Sequence, residues 1–398
     1  MHIGEVENNL KYVVGITTIY AYMLADNMAS MLIHASTSMG TDYLAETLQV
    51  ASCTVDELRS LSDKYSVKFP EVTTAYAGAL VSLAYYSAED ESAKCMERLQ
   101  CLYLENNQSS SNIAIQYAMS LNNYIMILGR TPTETGLKKA NEARHRLENL
   151  YKTHVANAVN LQDLVMGVVN GLSDPKLRTV LDDEMKLFSN QVYMYQGEVA
   201  VEYAKGLNNL ISINVQMNRH DDAYDIFVEL GQLCAEHCAE MSLVKIEYAK
   251  GIVNLIYGCS SDTAQMLLDG LKQIYQTARH DRDIFIVRYA KALTNRLSRI
   301  LKDGLYCDDA DDTLNEMTAL YFENRENKNC SFDLTKCFSQ CLYNMFQLLV
   351  LTKSKQLDED DSELETIYNM LHIVHKQSDP SLHGTIGQYI TMIDRLFE

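Results

Sequence analysis

The chain has 398 residues but only 4 Pro and 17 Gly, too few breakers for a many-turned β architecture. Hydrophobic residues at 47% and charged residues at 22% describe a folded globular protein, not a disordered or membrane-embedded one. With 34 Lys+Arg against 53 Asp+Glu the net charge is −19, a field that repels phosphate backbones and argues against nucleic acid as a direct partner.

At the N-terminus, MHIGEVENN brings two acids before its first Lys, and the 10 Cys are scattered, so no secretory or disulfide framework is readable. Reduced thiols and a cytoplasmic location are expected. The run Val13 to Ala35 is long and apolar enough to suggest a membrane span, but Asp26, Asn27 and His34 interrupt it. A buried amphipathic helix is expected there. It holds YAYMLAD from Tyr20, the first copy of a motif that recurs along the chain.

After a segment with room for a prolonged helix around Leu44 to Tyr65, the motif returns as YAGALVS from Tyr76, YAMSLNN from Tyr117 and LVMGVVN from Leu164. It continues as YAKGLNN from Tyr203, YAKGIVN from Tyr248, YAKALTN from Tyr289, FSQCLYN from Phe338 and YITMIDR from Tyr389. Successive copies stand 56, 41, 47, 39, 45, 41, 49 and 51 residues apart. Such a period fits two helices with two loops and not a propeller blade. Within a copy, the Tyr, the aliphatic four residues on and the apolar residue seven on (Leu210, Leu255) share one helical face, with Ala beside them where a second backbone can approach.

A second pattern lies between copies: a leucine, two variable residues, an aliphatic and an aromatic. It reads Leu99, Leu102 and Tyr103; Leu147, Leu150 and Tyr151; Leu271, Ile274 and Tyr275; Met317, Leu320 and Tyr321. Several of these helices follow acidic or hydroxyl clusters, namely Asp221 and Asp222, Ser260 to Asp262, Asp308 to Asp312 and Asp358 to Asp361, as N-caps and the helix dipole favour. Each unit is therefore a helical hairpin. Stacking them predicts an all-α superhelical solenoid of about eight antiparallel helix pairs, with a capping helix over about 382–398 and the whole of 1–398 as one domain.

These units resemble the tetratricopeptide repeat family. Leu207, Leu210 and Ile211 stand in its first-helix slots and Ala223 with Phe227 in its second, while Ala264 with Leu268 and Ala310 with Leu314 offer the same pair in neighbouring units. The match is clearest over 197–324. It departs in having no Trp, in Ile211 and Ile256 where a small residue is usual, in lacking the closing Pro, and in units longer than the family's 34 residues.

Asn stands seventh in six copies: Asn123, Asn170, Asn209, Asn254, Asn295 and Asn344. It falls beside the core stripe, and an amide offers both donor and acceptor to a peptide bond. By the resemblance these Asn would line a concave groove and hold a peptide's main chain. The alternative is structural, with each Asn capping a helix or tying adjacent units. Lys205, Lys250 and Lys291 lie four residues before Asn209, Asn254 and Asn295, on the same face. They resemble the basic and amide pairing by which some tetratricopeptide grooves clamp a terminal carboxylate, with Arg299 extending the strip and Tyr257 supplying an aromatic surface.

Signals for chemistry are weak. Cys234, His237 and Cys238 crowd one turn, and Cys337 with Cys341 repeats the spacing, but no second ligand pair completes a structural zinc site. The acidic clusters lack the Gly and distal Glu of an EF-hand loop. Phosphate loops, nucleophile elbows and His-Glu-x-x-His are absent. No cofactor, no metal and no enzymatic activity are expected.

The function expected is that of a protein- or peptide-binding scaffold or adaptor that uses the solenoid groove. Its partner would be a protein segment that is acidic or bears a free C-terminal carboxylate. A rival is a regulatory subunit packed permanently on a larger enzyme or nucleoprotein effector. For that role the acidic C-terminal quarter, with 8 Lys+Arg and 18 Asp+Glu over 301–398, would face a basic partner. A third is a small-molecule or signal-peptide sensor.

Overall fold

The computed structural model describes residues 3–38, 41–65, 70–106, 111–170, 197–237, 242–278, 281–304, 306–353 and 362–397; the side chains of 3–15, 38, 41, 111, 155–170, 353 and 396–397 lie outside the description. The described residues are all-α. They form α1 (Ile3–Ser38), α2 (Thr41–Tyr65), α3 (Pro70–Tyr86), α4 (Glu89–Glu105), α5 (Ser111–Leu128), α6 (Glu134–Asn170) and α7 (197–216). There follow α8 (His220–His237), α9 (Ser242–Ile256), α10 (Ser261–Thr277), α11 (Arg282–Asp303), α12 (Asp308–Asn324), α13 (Ser331–Lys353), α14 (Ser362–Gln377) and α15 (His383–Phe397). By contacts the chain divides into two compact units, Met1–Ile213 and Asn214–Glu398.

Eight of the nine motif copies fall on odd-numbered helices, and the leucine-aromatic segments fall on even ones. The copy at Leu164 begins no helix of its own. It lies in the C-terminal part of α6, because no Gly or Pro interrupts the chain between Gly136 and Gly167 and nothing breaks the helix. The described residues therefore supply fifteen helices, seven odd-numbered ones each followed by an even-numbered one, and a last one, where the sequence spacing suggested about eight pairs. That last helix, α15, occupies the residues where a cap was expected, and α2 those where a prolonged helix was expected, around Leu44 to Tyr65.

In the first unit α1 packs on α3 and α3 on α5, and in the second α9 packs on α11 and α11 on α13, besides the contacts within hairpins. Even-numbered helices make at most marginal backbone contact with one another. Small motif residues permit the close approach: Ala77, Ala118, Ala204, Ala249 and Ala290 are all fully buried. At Gly206 a Cβ would lie 2.9 Å from Leu147 Cδ2, so α7 approaches α6 closely enough that a larger residue would displace the Leu147 side chain. The even helices are bridged by long polar side chains instead. Arg98 reaches Asp63 at 3.7 Å, Lys139 reaches Glu89 at 2.5 Å, and Lys272 pairs with Glu316. Buried Arg296 on α11 holds Gln265 of α10 at 2.5 Å and Asp309 of α12 at 3.2 Å.

The two sequence patterns meet in an aromatic seam. Five motif aromatics lie against an aromatic of the preceding even helix: Tyr103 with Tyr117 at 5.8 Å between centroids, Tyr151 with Tyr203 at 5.5 Å, Phe227 with Tyr248 at 5.0 Å, Tyr275 with Tyr289 at 5.2 Å and Tyr321 with Phe338 at 4.4 Å. Such pairs add about 0.5–1.5 kcal/mol each beyond the area they bury. Motif phenols also bond to the partner helix of their own hairpin. Tyr20 donates to Glu57 at 2.7 Å, and Tyr76 accepts from Arg98 at 3.4 Å.

Helix α1 corrects one expectation. It buries Ala21, Met28, Leu32 and Ala35 but exposes Ile16, Ile19, Met23 and Ile33, since among the described residues α2 and α3 pack on one side of it. It is half-buried where a buried helix was expected. No described helix is long and apolar enough to cross a membrane.

The helix starts follow the expected chemistry in part. Ser260 caps α10 by accepting from the Thr263 amide, and acids occupy the first turns of α8 and α12. Asp358 to Asp361 lie outside the described residues.

One half-buried histidine gives stability a pH dependence. His154 lies 3.4 Å from the Tyr103 hydroxyl, and burial pushes its pKa below the usual histidine value. With the folded pKa depressed, its contribution to stability is fully present above the unfolded value and is lost as pH falls through the folded one. Replacing His154 by Gln should make stability fall less steeply between pH 7 and pH 5 than in wild type. Denaturant melts across that range measure it, and parallel slopes would contradict the assignment.

Candidate functional site: a polar ridge on the odd-numbered helices

The predicted site residues all fall on odd-numbered helices or just past their ends, apart from Asn170. It lies at the end of α6, where side chains are outside the description.

In the first unit, Lys205 on α7 does not stand free. Its Nζ lies 2.6 Å from Oε1 of Glu202, one turn earlier, and Glu202 is buried. The other oxygen of Glu202 accepts from Asn122 Nδ2 at 3.1 Å, and the Asn122 carbonyl oxygen accepts from Asn209 Nδ2 at 2.8 Å. Lys205, Glu202, Asn122 and Asn209 thus form one network that stitches α7 to α5. Asn123, half-buried beside it, makes no hydrogen bond with a described residue.

In the second unit, Lys250 on α9 repeats the arrangement with buried Glu247 at 2.6 Å. Asn254 is half-buried and engaged within the chain. On α11, Asn295 donates to the Val253 carbonyl of α9 at 2.7 Å. On α13, Asn344 donates to Ser298 of α11 at 2.8 Å and accepts from Gln340 at 2.8 Å. Three of the six Asn therefore bond their own helix to the preceding odd one. A buried amide that pairs across a helix interface removes its desolvation penalty and fixes register in the same bond.

That register is coherent. Lys245 lies over Phe285 and Asn295 meets Val253, while Lys291 meets Asp333 and Asn344 meets Ser298. Positions related by the repeat lie nearly level on α9 and α11, whereas α13 is displaced along α11 by about a helical turn, so that Lys291 faces Asp333 and Asn344 faces Ser298. Lys291 is held only loosely, 3.8 Å from the half-exposed Asp333. Arg299 pairs with Asp303 at 3.3 Å, and Lys302 lies over the exposed Tyr257 ring at 5.4 Å.

Sequence reading overlooked Glu202, Glu247 and Asn122, which neutralise or tie the residues it singled out. The signal was present in the residue just before each motif Tyr: VEYAK, IEYAK and VRYAK place Glu202, Glu247 and Arg288 at one repeat position. Asn122 precedes the counted Asn123 by one, and the pairing could not be read without the helix packing.

The cysteines singled out earlier are ordinary core thiols in their surroundings. Cys341 donates to Thr294 at 3.3 Å, and burial pushes its thiol up to about 12 and that of Cys337 up to about 11. Cys234 is buried, and Cys238 lies outside the described residues. Among the described residues no three His, Cys, Asp or Glu side chains converge as metal ligands. No protein-family model, curated protein or solved structure matches this chain.

Proposed function

We propose that the chain is a non-enzymatic binding scaffold, a tetratricopeptide-like α-solenoid whose odd-helix face holds an extended segment of a partner protein in the cytoplasm. The carrying observation is the group of basic and amide side chains on neighbouring α9 and α11, Lys250, Lys291, Asn295 and Arg299, with Asn344 of α13 tied to the same side through Ser298. The unequal layers support it as well. Within each unit odd helices pack directly on odd ones, while even helices meet mainly through long polar side chains, so the odd-helix layer is the more closely packed. The amides spent on helix pairing set the spacing of this surface, and the cations between them supply charge for an acidic segment.

The test places a photo-crosslinking phenylalanine analogue at Tyr257, on the ridge side, or at exposed Tyr224 of α8 or Phe322 of α12. In lysate of the native host, Tyr257 should yield a discrete adduct that the other two do not. Adducts from Phe322 alone would favour the rival reading, a regulatory subunit that docks a basic partner on its acidic even-helix side.

A further inference from the structure

The repeat carries a charge reversal at one position, and its consequences are local. In the copies at Tyr203 and Tyr248 the residue before the Tyr is a buried glutamate that neutralises the Lys three residues on. In the copy at Tyr289 that residue is Arg288. Lys291 consequently loses the partner its counterparts have and turns to Asp333 on the neighbouring helix, at 3.8 Å with both side chains well exposed. Arg288 makes no ion pair or hydrogen bond with any described residue, and its Nε is shut off from solvent without an acceptor. Two cations and one loosely held carboxylate stand where the preceding repeat has one cation and one buried, tightly paired carboxylate.

We propose that Arg288 and Lys291 form a recognition subsite for an acidic side chain of an extended polypeptide, a proposal that rests on the scaffold reading above. A guanidinium with no partner presents a planar fork that takes a carboxylate through two parallel hydrogen bonds. An incoming carboxylate between the two cations relieves their mutual repulsion. The subsite is the start of a longer stripe. At 100° per residue Arg288, Lys291, Asn295, Arg299 and Lys302 fall within roughly 80° of one another on α11, and Arg288 to Lys302 spans about 21 Å. An extended segment of about six residues covers that length. Five cations, counting Lys250 of α9, face Glu247, Asp333 and Asp303, a cationic excess on a protein of net charge −19. The patch is short and the surrounding field negative, so isolated carboxylates fit it better than a polyphosphate chain.

Fluorescein-labelled hexaglutamate with an amidated C-terminus, titrated with the full-length protein in 50 mM salt and read by anisotropy, tests the assignment. Saturable binding is expected. Arg288→Glu should weaken it at least tenfold, Arg288→Lys should weaken it several-fold through loss of the fork, and Lys138→Glu, at an exposed site on α6, should change it less than twofold. Arg288→Gln serves as a second variant should the charge reversal disturb folding, with melting curves recorded for all. Raising the salt to 300 mM should weaken binding of wild type more than of Arg288→Gln.

Binding of hexaglutamate unchanged in Arg288→Glu and Arg288→Gln, or no binding at all, overturns the subsite. So does equal binding of hexaglutamine with a free C-terminus, which would make a terminal carboxylate the ligand. Displacement by inorganic phosphate at concentrations where acetate has no effect would make it a phosphate site and overturn it likewise. A Tyr257 adduct that persists in Arg288→Glu separates the cases, for the scaffold reading then stands while the subsite falls.

Discussion

Phe338→Ala should lower the stability of the second unit by about 3–5 kcal/mol, the range for deleting a fully buried aromatic. Phe338 has no exposed surface, stacks on Tyr321 at 4.4 Å and meets the edge of Phe322 at 6.3 Å. It is where the seam between α12 and α13 is tightest. The loss should be local at first, because a repeat array contacts only its neighbours and does not unfold as one two-state body. Hydrogen exchange should therefore accelerate in α12 and α13 before α9. Phe322→Ala, at a half-exposed ring of similar size, is the internal control and should cost less than about 1 kcal/mol. If the two variants are equally destabilised, the seam is not what couples the hairpins.

Lys205→Met should cost about 2–3 kcal/mol, more than an exposed lysine normally does. The reason is its partner. Removing the ammonium leaves Glu202 buried with a negative charge and one amide donor, Asn122 Nδ2 at 3.1 Å. Breaking a buried pair costs roughly 3–5 kcal/mol, and the estimate is reduced because Lys205 itself is 39% exposed. The double variant Lys205→Met/Glu202→Gln should recover at least half of the loss, since it removes the stranded charge and keeps an acceptor for Asn122. A double-mutant cycle by urea denaturation measures this coupling, and additive losses would show that the network contributes nothing. The same reasoning bears on any binding study. Truncating Lys205 and Lys250 perturbs folding through Glu202 and Glu247, whereas Arg288, Lys291 and Lys302 can be altered without stranding a buried acid.

The period and the class of element were legible because they are local. A Tyr, an Ala and aliphatics at helical spacing mark one buried face wherever they occur, and eight copies did fall on odd-numbered helices. The copy at Leu164 misled for a physical reason, since spacing alone does not say where a helix ends, and without a breaker α6 runs through. The candidate site was legible only in outline. Asn209, Asn295 and Asn344 stood out as a recurring class, but their partners, Asn122, the Val253 carbonyl and Ser298, lie 87, 42 and 46 residues away. Nothing in a helical periodicity specifies such distant partners.

By itself, then, the amino-acid sequence determined an all-helical chain built from repeated hairpins, and which side chains face the core. Those properties follow from propensity and from spacing along one helix, where each residue's neighbours are fixed by covalent distance. Only the tertiary structure decided the aromatic seam between hairpins, the stitching of odd helices by amides and buried glutamates, and the contrast between paired Lys205 and Lys250 and unpaired Arg288. These depend on which helix lies beside which and at what register. Many weak long-range contacts fix that register jointly, and a single copy of the motif carries no trace of it.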